Sequence, residues 1–207
     1  MVVYGADAGS ISKDRFCWAR RSASGRWSSA SSIDALAKRV DEDLTNGLPV
    51  ALGFECPAYA PIPDSSERLG RARSREGSPA FSSQVGASVL VTGLVEMAWV
   101  FRHLNHGVAK PPVFLDWAAF EAHGSGLLVW EAFITGTSGT GQGSESRHCA
   151  DAKLAVGAFR KKLPTPSSDL GPDDDVLSIT AAALLWSGLS KDRKLLQQHS
   201  LVVRARR

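Results

Sequence analysis

Few features of this 207-residue chain could staple it or hold it in a bilayer. Cysteine occurs three times, as Cys17, Cys56 and Cys149, too few and too far apart for a disulfide framework or a clustered zinc site. The odd count suits a reducing compartment, so a cytoplasmic location is expected. The longest apolar stretch, Val85 to Phe101, has 17 residues interrupted by Thr92 and Glu96, short of the roughly 20 that cross a bilayer. It reads as a buried helix, with Gly86 and Gly93 on one face for close packing against a sheet. Met1 to Asp7 lacks the basic and long apolar parts of a signal peptide, so neither export nor membrane contact is expected. Neither charge sign dominates: 24 basic residues face 21 acidic ones. Beyond residue 190, however, Lys191, Arg193, Lys194, Arg204, Arg206 and Arg207 meet only Asp192, which leaves the rest slightly acidic.

What is present is globular in character. Hydrophobic residues make up 43% and charged residues 22%, near the averages for folded domains. A chain of this size buries roughly 70% of its extended surface, so one self-sufficient domain over 1–190 is expected, followed by a basic tail over 191–207. Val2 to Asp7, Arg15 to Arg20 and Gly25 to Ser29 read as three short strands joined as hairpins. Ser31 or Ser32 caps a helix on which Ile33, Leu36, Ala37, Val40 and Leu44 share a face. Val50 to Glu55, apolar up to its last residue, reads as a strand buried on both sides. Cys56 to Ser83, broken by Pro57, Pro61, Pro63 and Pro79, predicts a long mobile loop. A helix over Gln84–Asn105, a short element over Val113–Phe120 and a strand over Leu127–Ile134 follow. Thr135 to Ser146 is rich in Gly, Ser and Thr and predicts a flexible segment. Helices near Ala150–Lys162 and Asp174–Ser187 complete an α/β order. The crossover rule makes the Val50 and Leu127 strands parallel. If the Val50 strand also lies parallel to the first, Asp7 and Glu55 share a carboxyl edge, where open α/β sheets build their sites.

The acids at strand and helix ends are therefore the candidates for chemistry. Asp7 ends a strand among small residues, Gly5-Ala6-Asp7-Ala8-Gly9. Glu55 ends an apolar run, where an unpaired dry carboxylate is costly and needs a cation, donors or water. Asp173, Asp174 and Asp175 precede the last helix; one acid suffices as a cap, and three adjacent anions invite a divalent metal. Glu131, inside a strand, is explained by a salt bridge to Arg or Lys. Asp151, near His148 and Cys149, is explained by capping. Arg68, Arg71, Arg73 and Arg75 stand in the Pro-rich loop, where they could contact phosphates.

In this order the motifs resemble the ribonuclease H-like superfamily, and more narrowly a mostly uncharacterised prokaryotic family of ribonuclease H-like nucleases. The residues concerned are Gly5-Ala6-Asp7-Ala8-Gly9 with Phe16-Cys17-Trp18-Ala19, Val50 to Pro57, the arginine loop leading to Pro79-Ala80-Phe81, Val129-Trp130-Glu131-Ala132, and Asp174-Asp175-Val176-Leu177-Ser178. The resemblance implies a five-stranded mixed sheet, three strands antiparallel and then parallel additions, flanked by helices. It also implies a carboxylate cluster of Asp7, Glu55 and Asp174 or Asp175, with Asp7, Glu55 and Asp175 as ligands of Mg²⁺ or Mn²⁺. Arg68, Arg71, Arg73 and Arg75 would bind the substrate, a DNA or RNA. The chain departs from this pattern at Ser178, where relatives often carry a further acid, and in lacking most of the acids that similar proteins place beside the arginines.

The function expected on this basis is metal-dependent phosphodiester hydrolysis, since two divalent ions need at least three carboxylates to hold them. Two other classes compete. One is a non-catalytic adaptor that binds nucleic acid or protein through the arginine loop and basic tail. The other is a nucleotide-binding half of the actin-like or sugar-kinase type, which shares the Gly-x-Asp-x-Gly start.

Overall fold

The computed structural model describes residues 1–78, 80–136, 146–171 and 175–207. In chain order its first elements are β1 (Val2–Asp7), β2 (Cys17–Arg21), β3 (Trp27–Ala30), α1 (Ile33–Thr45), β4 (Val50–Phe54) and β5 (Tyr59–Pro61). There follow α2 (Gln84–His106), β6 (Val113–Phe114), α3 (Trp117–His123), β7 (Leu127–Thr135), α4 (Arg147–Lys161), β8 (Val176–Ser178), α5 (Ile179–Ser187) and β9 (Val202–Arg206).

The two apolar strands β1 and β4 are buried throughout and lie side by side and parallel, Val2 opposite Val50 and Ala6 opposite Phe54. β2 and β3 add to β1 as antiparallel hairpin strands. On the other side β7 pairs parallel with β4, Val50 opposite Leu127. The outer edge of β7 is shared, because β6 covers its start at Leu127 and Leu128 while β9 covers Glu131 to Thr135. The result is a seven-stranded mixed sheet ordered β3-β2-β1-β4-β7-β6, with β9 also on β7.

Strand periodicity divides the core. Val2, Tyr4, Ala6, Leu52 and Phe54 face α1, α2 and α5, whereas Val3, Ala51, Leu128 and Trp130 face α4 and Phe120 of α3. At Gly5 an added Cβ would sit 2.9 Å from the Ala152 carbonyl oxygen, so glycine there lets the α4 backbone settle directly on β1. On the opposite face Gly93 does the same for α2, since a Cβ would fall 2.3 Å from Cys56 Cβ.

Four expectations change. The sheet has seven strands rather than five. The stretch expected as a basic tail instead supplies β9, whose Val202, Val203 and Ala205 are buried and whose backbone satisfies the free edge of β7. The last helix begins at Ile179, capped by Ser178, because Val176 to Ser178 pair with β5 as a two-stranded sheet. The 56–83 stretch carries β5 and the buried Arg73 and Glu76, so much of it is tied to the core. α2 passes the length and apolarity test for a membrane span. Its Gly93, Met97, Val100, Phe101 and Leu104 are buried in the core, while Val85, Val91 and Val95 are exposed.

Candidate functional site

Asp7 and Glu55 stand next to each other at the carboxyl edge of β1 and β4, one position beyond the Ala6–Phe54 pair, with the Glu55 N–H donating to the Ala6 carbonyl at 2.7 Å. Their odd register directs both side chains to the α4 face, as it does for Val3 and Gly5. α4 begins on that face with Ser146 as N-cap, its side chain accepting from the Cys149 N–H. Asp151, expected as a cap, is therefore free for another role. One oxygen each from Asp7, Glu55 and Asp151 lies within 4.8 Å of the others. Together they offer three carboxylate oxygens to a hard divalent cation such as Mg²⁺, which takes oxygen ligands.

Two basic side chains frame the triad. One turn before Asp151, the His148 ring donates from Nδ1 to Asp7 Oδ2 at 2.8 Å. Arg207, just beyond β9, holds Asp151 through two hydrogen bonds of 2.8 Å and lies 3.9 Å from Glu55 Oε1. A disulfide between Cys17 and Cys149, with Cα atoms 5.0 Å apart, ties this end of α4 to β2. Cys17 is directly opposite Asp7 in the β1–β2 register, and Cys149 is the neighbour of His148. Sequence separation had argued against any such link; the fold brings the two together and leaves Cys56 as a buried free thiol.

Burial and mutual repulsion dominate the electrostatics. Burial raises the Glu55 carboxyl to about 9, helped by the charges of Asp7 and Asp151 and opposed by Arg207. Asp7, 6% exposed, is likewise raised by burial, with His148 pulling it back down. Glu96 of α2 is raised to about 8, again chiefly by burial and then by the charge of Asp7, while a hydrogen bond with the Gly9 backbone opposes the rise. Without a cation the site therefore holds protons at neutral pH. Such a site releases them when a divalent ion binds.

The remaining expected residues fall elsewhere. Asp175 is exposed, precedes β8, is bound through its carbonyl to the Ile62 N–H, and does not belong to the triad. Asp175 leads into a strand rather than a helix, so it is not delivered to the sheet edge; Asp173 and Asp174 lie outside the described residues. Ser178 is buried, and its side chain caps α5 by accepting from the Ala181 N–H. Arg73 is not available to a substrate. Its guanidinium is fully buried, bonded to Glu131 at 2.6 and 2.7 Å and to Glu76 at 2.9 Å. Burial alone would lower its basicity, but Glu131 and Glu76 reverse the balance and raise it. Glu131 thus has the arginine partner its place in a strand demanded, and it also accepts from the Ala58 N–H at 2.8 Å. Arg68, Arg71 and Arg75 are exposed. His148, Asp151 and Arg207 were missed as site residues; the only sequence signal was His148-x-x-Asp151, whose helical spacing puts both on one face.

Beside the triad a cavity of about 150 Å³ is lined by Glu55, Arg73, Phe81, Val89, Glu131 and Phe133 among others. It places an apolar wall beside Glu55. No protein-family model, curated protein or solved structure matches this chain.

Proposed function

We propose that the protein is a divalent-metal-dependent nuclease of ribonuclease H-like design, cleaving phosphodiester bonds at the Asp7–Glu55–Asp151 triad. The observation that carries this reading is the meeting of three acids from distant parts of the chain at one sheet edge, one oxygen of each within 4.8 Å of the others. An all-oxygen donor set of carboxylates suits Mg²⁺ or Mn²⁺. Bound there, such ions supply an activated water and neutralise charge on the leaving oxygen. Asp7 lies between Glu55 and His148 and would be a ligand of such an ion. His148, oriented through Nδ1 by Asp7, leaves Nε2 to hold or pass a proton at the half-exposed mouth. Arg207 holds Asp151 in place and offers donors to non-bridging phosphate oxygens. The exposed Arg68, Arg71 and Arg75 are suited to backbone phosphates of a nucleic acid.

One observation favours a non-catalytic nucleic-acid- or protein-binding reading: Arg207 and His148 already bond Asp151 and Asp7 of the triad without a metal. The test is direct. Wild type and Asp7→Asn are compared for Mn²⁺ binding by calorimetry and for cleavage of single-stranded, double-stranded and branched DNA and RNA. Metal binding and cleavage by wild type alone support the nuclease. Equal activity in both proteins points to a contaminant, and no binding with no cleavage leaves the non-catalytic reading ahead.

A further inference from the structure

The nuclease reading leaves the basic residues of α4 and β9 unused. β9 pairs with β7 alone, so its other edge is a rim of the sheet. Between that rim and a flank of α4 runs an open groove of about 620 Å³, lined by Lys153, Gly157, Lys161, Lys162, Arg204 and Arg206 among others. None of the residues lining it is acidic. Part of the charge is already engaged: Lys162 pairs with Asp169 at 2.7 Å, and the Arg204 guanidinium donates to the Arg75 and Glu76 carbonyls at 2.6 and 3.3 Å. Carbonyls satisfy hydrogen bonds without cancelling charge. Lys161 and Arg206 are exposed and form no ion pair among the described residues. The groove is thus a concave surface of one sign, which draws an anionic chain.

Two features give the groove a direction and a floor. At one end Ala150 lines it and precedes Asp151, while Arg206 lines it and precedes Arg207, which holds Asp151. At the other end stand Lys161 and Lys162, where α4 finishes. From Ala150 to Lys162 the helix rises about 18 Å at about 1.5 Å per residue, the length of about five nucleotides stacked about 3.4 Å apart. The floor is kept low at Gly157. Glycine weakens the interior of a helix, and close packing does not explain it here, because a Cβ at this position would meet nothing within 4 Å. At Gly5 and Gly93 the missing side chain admits another part of the protein; at Gly157 it leaves the groove open.

We propose that the groove between α4 and β9 holds the phosphate backbone of a nucleic-acid strand that runs away from the triad, with Arg206 and Lys161 among its phosphate contacts. The proposal rests on the nuclease reading for the direction of the strand, since a phosphate at the triad brings its neighbours first to Arg206 and then along α4 to Lys161. Contacts of this kind position the backbone and carry no base sequence, so the groove adds affinity and accepts DNA or RNA of any sequence. A concave track that leads to a candidate phosphodiester site suits a nucleic acid better than an anionic membrane, which meets basic residues as a broad surface.

The experiment is fluorescence anisotropy of labelled single-stranded DNA and RNA oligonucleotides of mixed sequence, titrated with the full chain in chelator at several salt concentrations. Cleavage of the same oligonucleotides in Mn²⁺ is measured in parallel. Wild type is expected to bind both. Lys161→Gln combined with Arg206→Gln is expected to weaken binding at least tenfold and to lower the slope of log affinity against log salt by about 1.4, two lost contacts at about 0.7 each for a single strand. Gly157→Leu keeps every charge, favours the helix and fills the floor; it is expected to weaken binding at least fivefold without lowering the melting temperature. Asp7→Asn is expected to bind at least as well as wild type while losing cleavage. Circular dichroism and thermal melting establish that each variant is folded, and the double variant changes two surface-facing charges if Gly157→Leu is not. Unchanged affinity and slope in the groove variants would overturn the proposal while leaving the triad reading intact. Wild type that binds vesicles of phosphatidylserine and phosphatidylcholine but neither oligonucleotide would overturn it in favour of a membrane surface. Weakened binding in the groove variants together with no cleavage by wild type upholds the groove and overturns the nuclease reading alone.

Discussion

Replacing Glu55 by Gln tests whether the triad is a strained anion site awaiting a cation. Glu55 has an ordinary value of 4.5 and is raised to about 9 in the folded protein, first by burial and then by Asp7 and Asp151. Below pH 4.5 the group is protonated in both folded and unfolded chains, and it contributes no pH-dependent penalty. Above that, the unfolded chain ionises while the folded one must take up a proton, so stability falls with rising pH through a window that closes near 9. Each pH unit in this window costs about 1.4 kcal/mol, which amounts to about 3 kcal/mol at pH 7. Gln fills the same volume and never ionises. In the presence of a chelator Glu55→Gln should therefore match wild type near pH 4.5 and exceed it by up to about 3 kcal/mol at pH 7, about 6–12 °C in Tm for a domain of this size. The assay is thermal melting at pH 5, 7 and 8.5, with chelator and with Mn²⁺. Saturating cation should close most of this gap at pH 7, because binding at a hundred times Kd adds about 2.7 kcal/mol to wild type and much less to the variant. A Glu55→Gln advantage that does not grow between pH 5 and 8.5, or an identical response of both proteins to Mn²⁺, would refute the reasoning.

Other perturbations probe how the site is held. Gly5→Ala places a Cβ 2.9 Å from the Ala152 carbonyl oxygen, so α4 must lift from β1; Mn²⁺ affinity measured by calorimetry should fall at least tenfold even where the melting temperature drops only a few degrees. Cys149→Ser removes a link closing most of the chain and should cost about 2–4 kcal/mol in denaturant unfolding, with a parallel loss of Mn²⁺ affinity, and a dithiol reductant should reproduce both effects in wild type. Arg73→Met leaves Glu131 and Glu76 buried without their cation and should destabilise by about 3–5 kcal/mol, an effect seen in unfolding whether or not nucleic acid is present. Replacing Arg68, Arg71 and Arg75 together should leave stability within about 0.5 kcal/mol. For nucleic-acid binding measured by fluorescence anisotropy it should reduce the slope of log affinity against log salt by up to about 0.9 per lost phosphate contact; an unchanged slope would remove the loop from the interface.

The strands and helices of the centre were legible in the sequence because each is specified by its own neighbours. Val2 to Asp7 and Val50 to Phe54 are apolar without alternation, as strands covered on both faces must be, and the helix between them forces the parallel crossover that sets Asp7 beside Glu55. The first two acids of the site follow from that pairing alone. Glu131 likewise declared its need of a partner by sitting in a buried strand, although which arginine answered it did not show. The third acid was not legible. Asp173 to Asp175 look more like a metal-binding run than Asp151 does, since local sequence cannot say whether the residues that follow pair as a strand or coil as a helix. Val176 to Ser178 become β8 because β5 offers an open edge from more than a hundred residues away. Asp151 joins the site because Gly5 admits α4 onto β1, Cys17 and Cys149 pin its first turn, and Arg207 arrives on β9 to bind it. Each of these contacts joins residues whose types are common and whose spacing carries no pattern. The carboxyl edge was therefore written in the chain, whereas the acidic triad is a product of packing, in which helix α4 delivers Asp151 to the strand ends that the sequence had already marked.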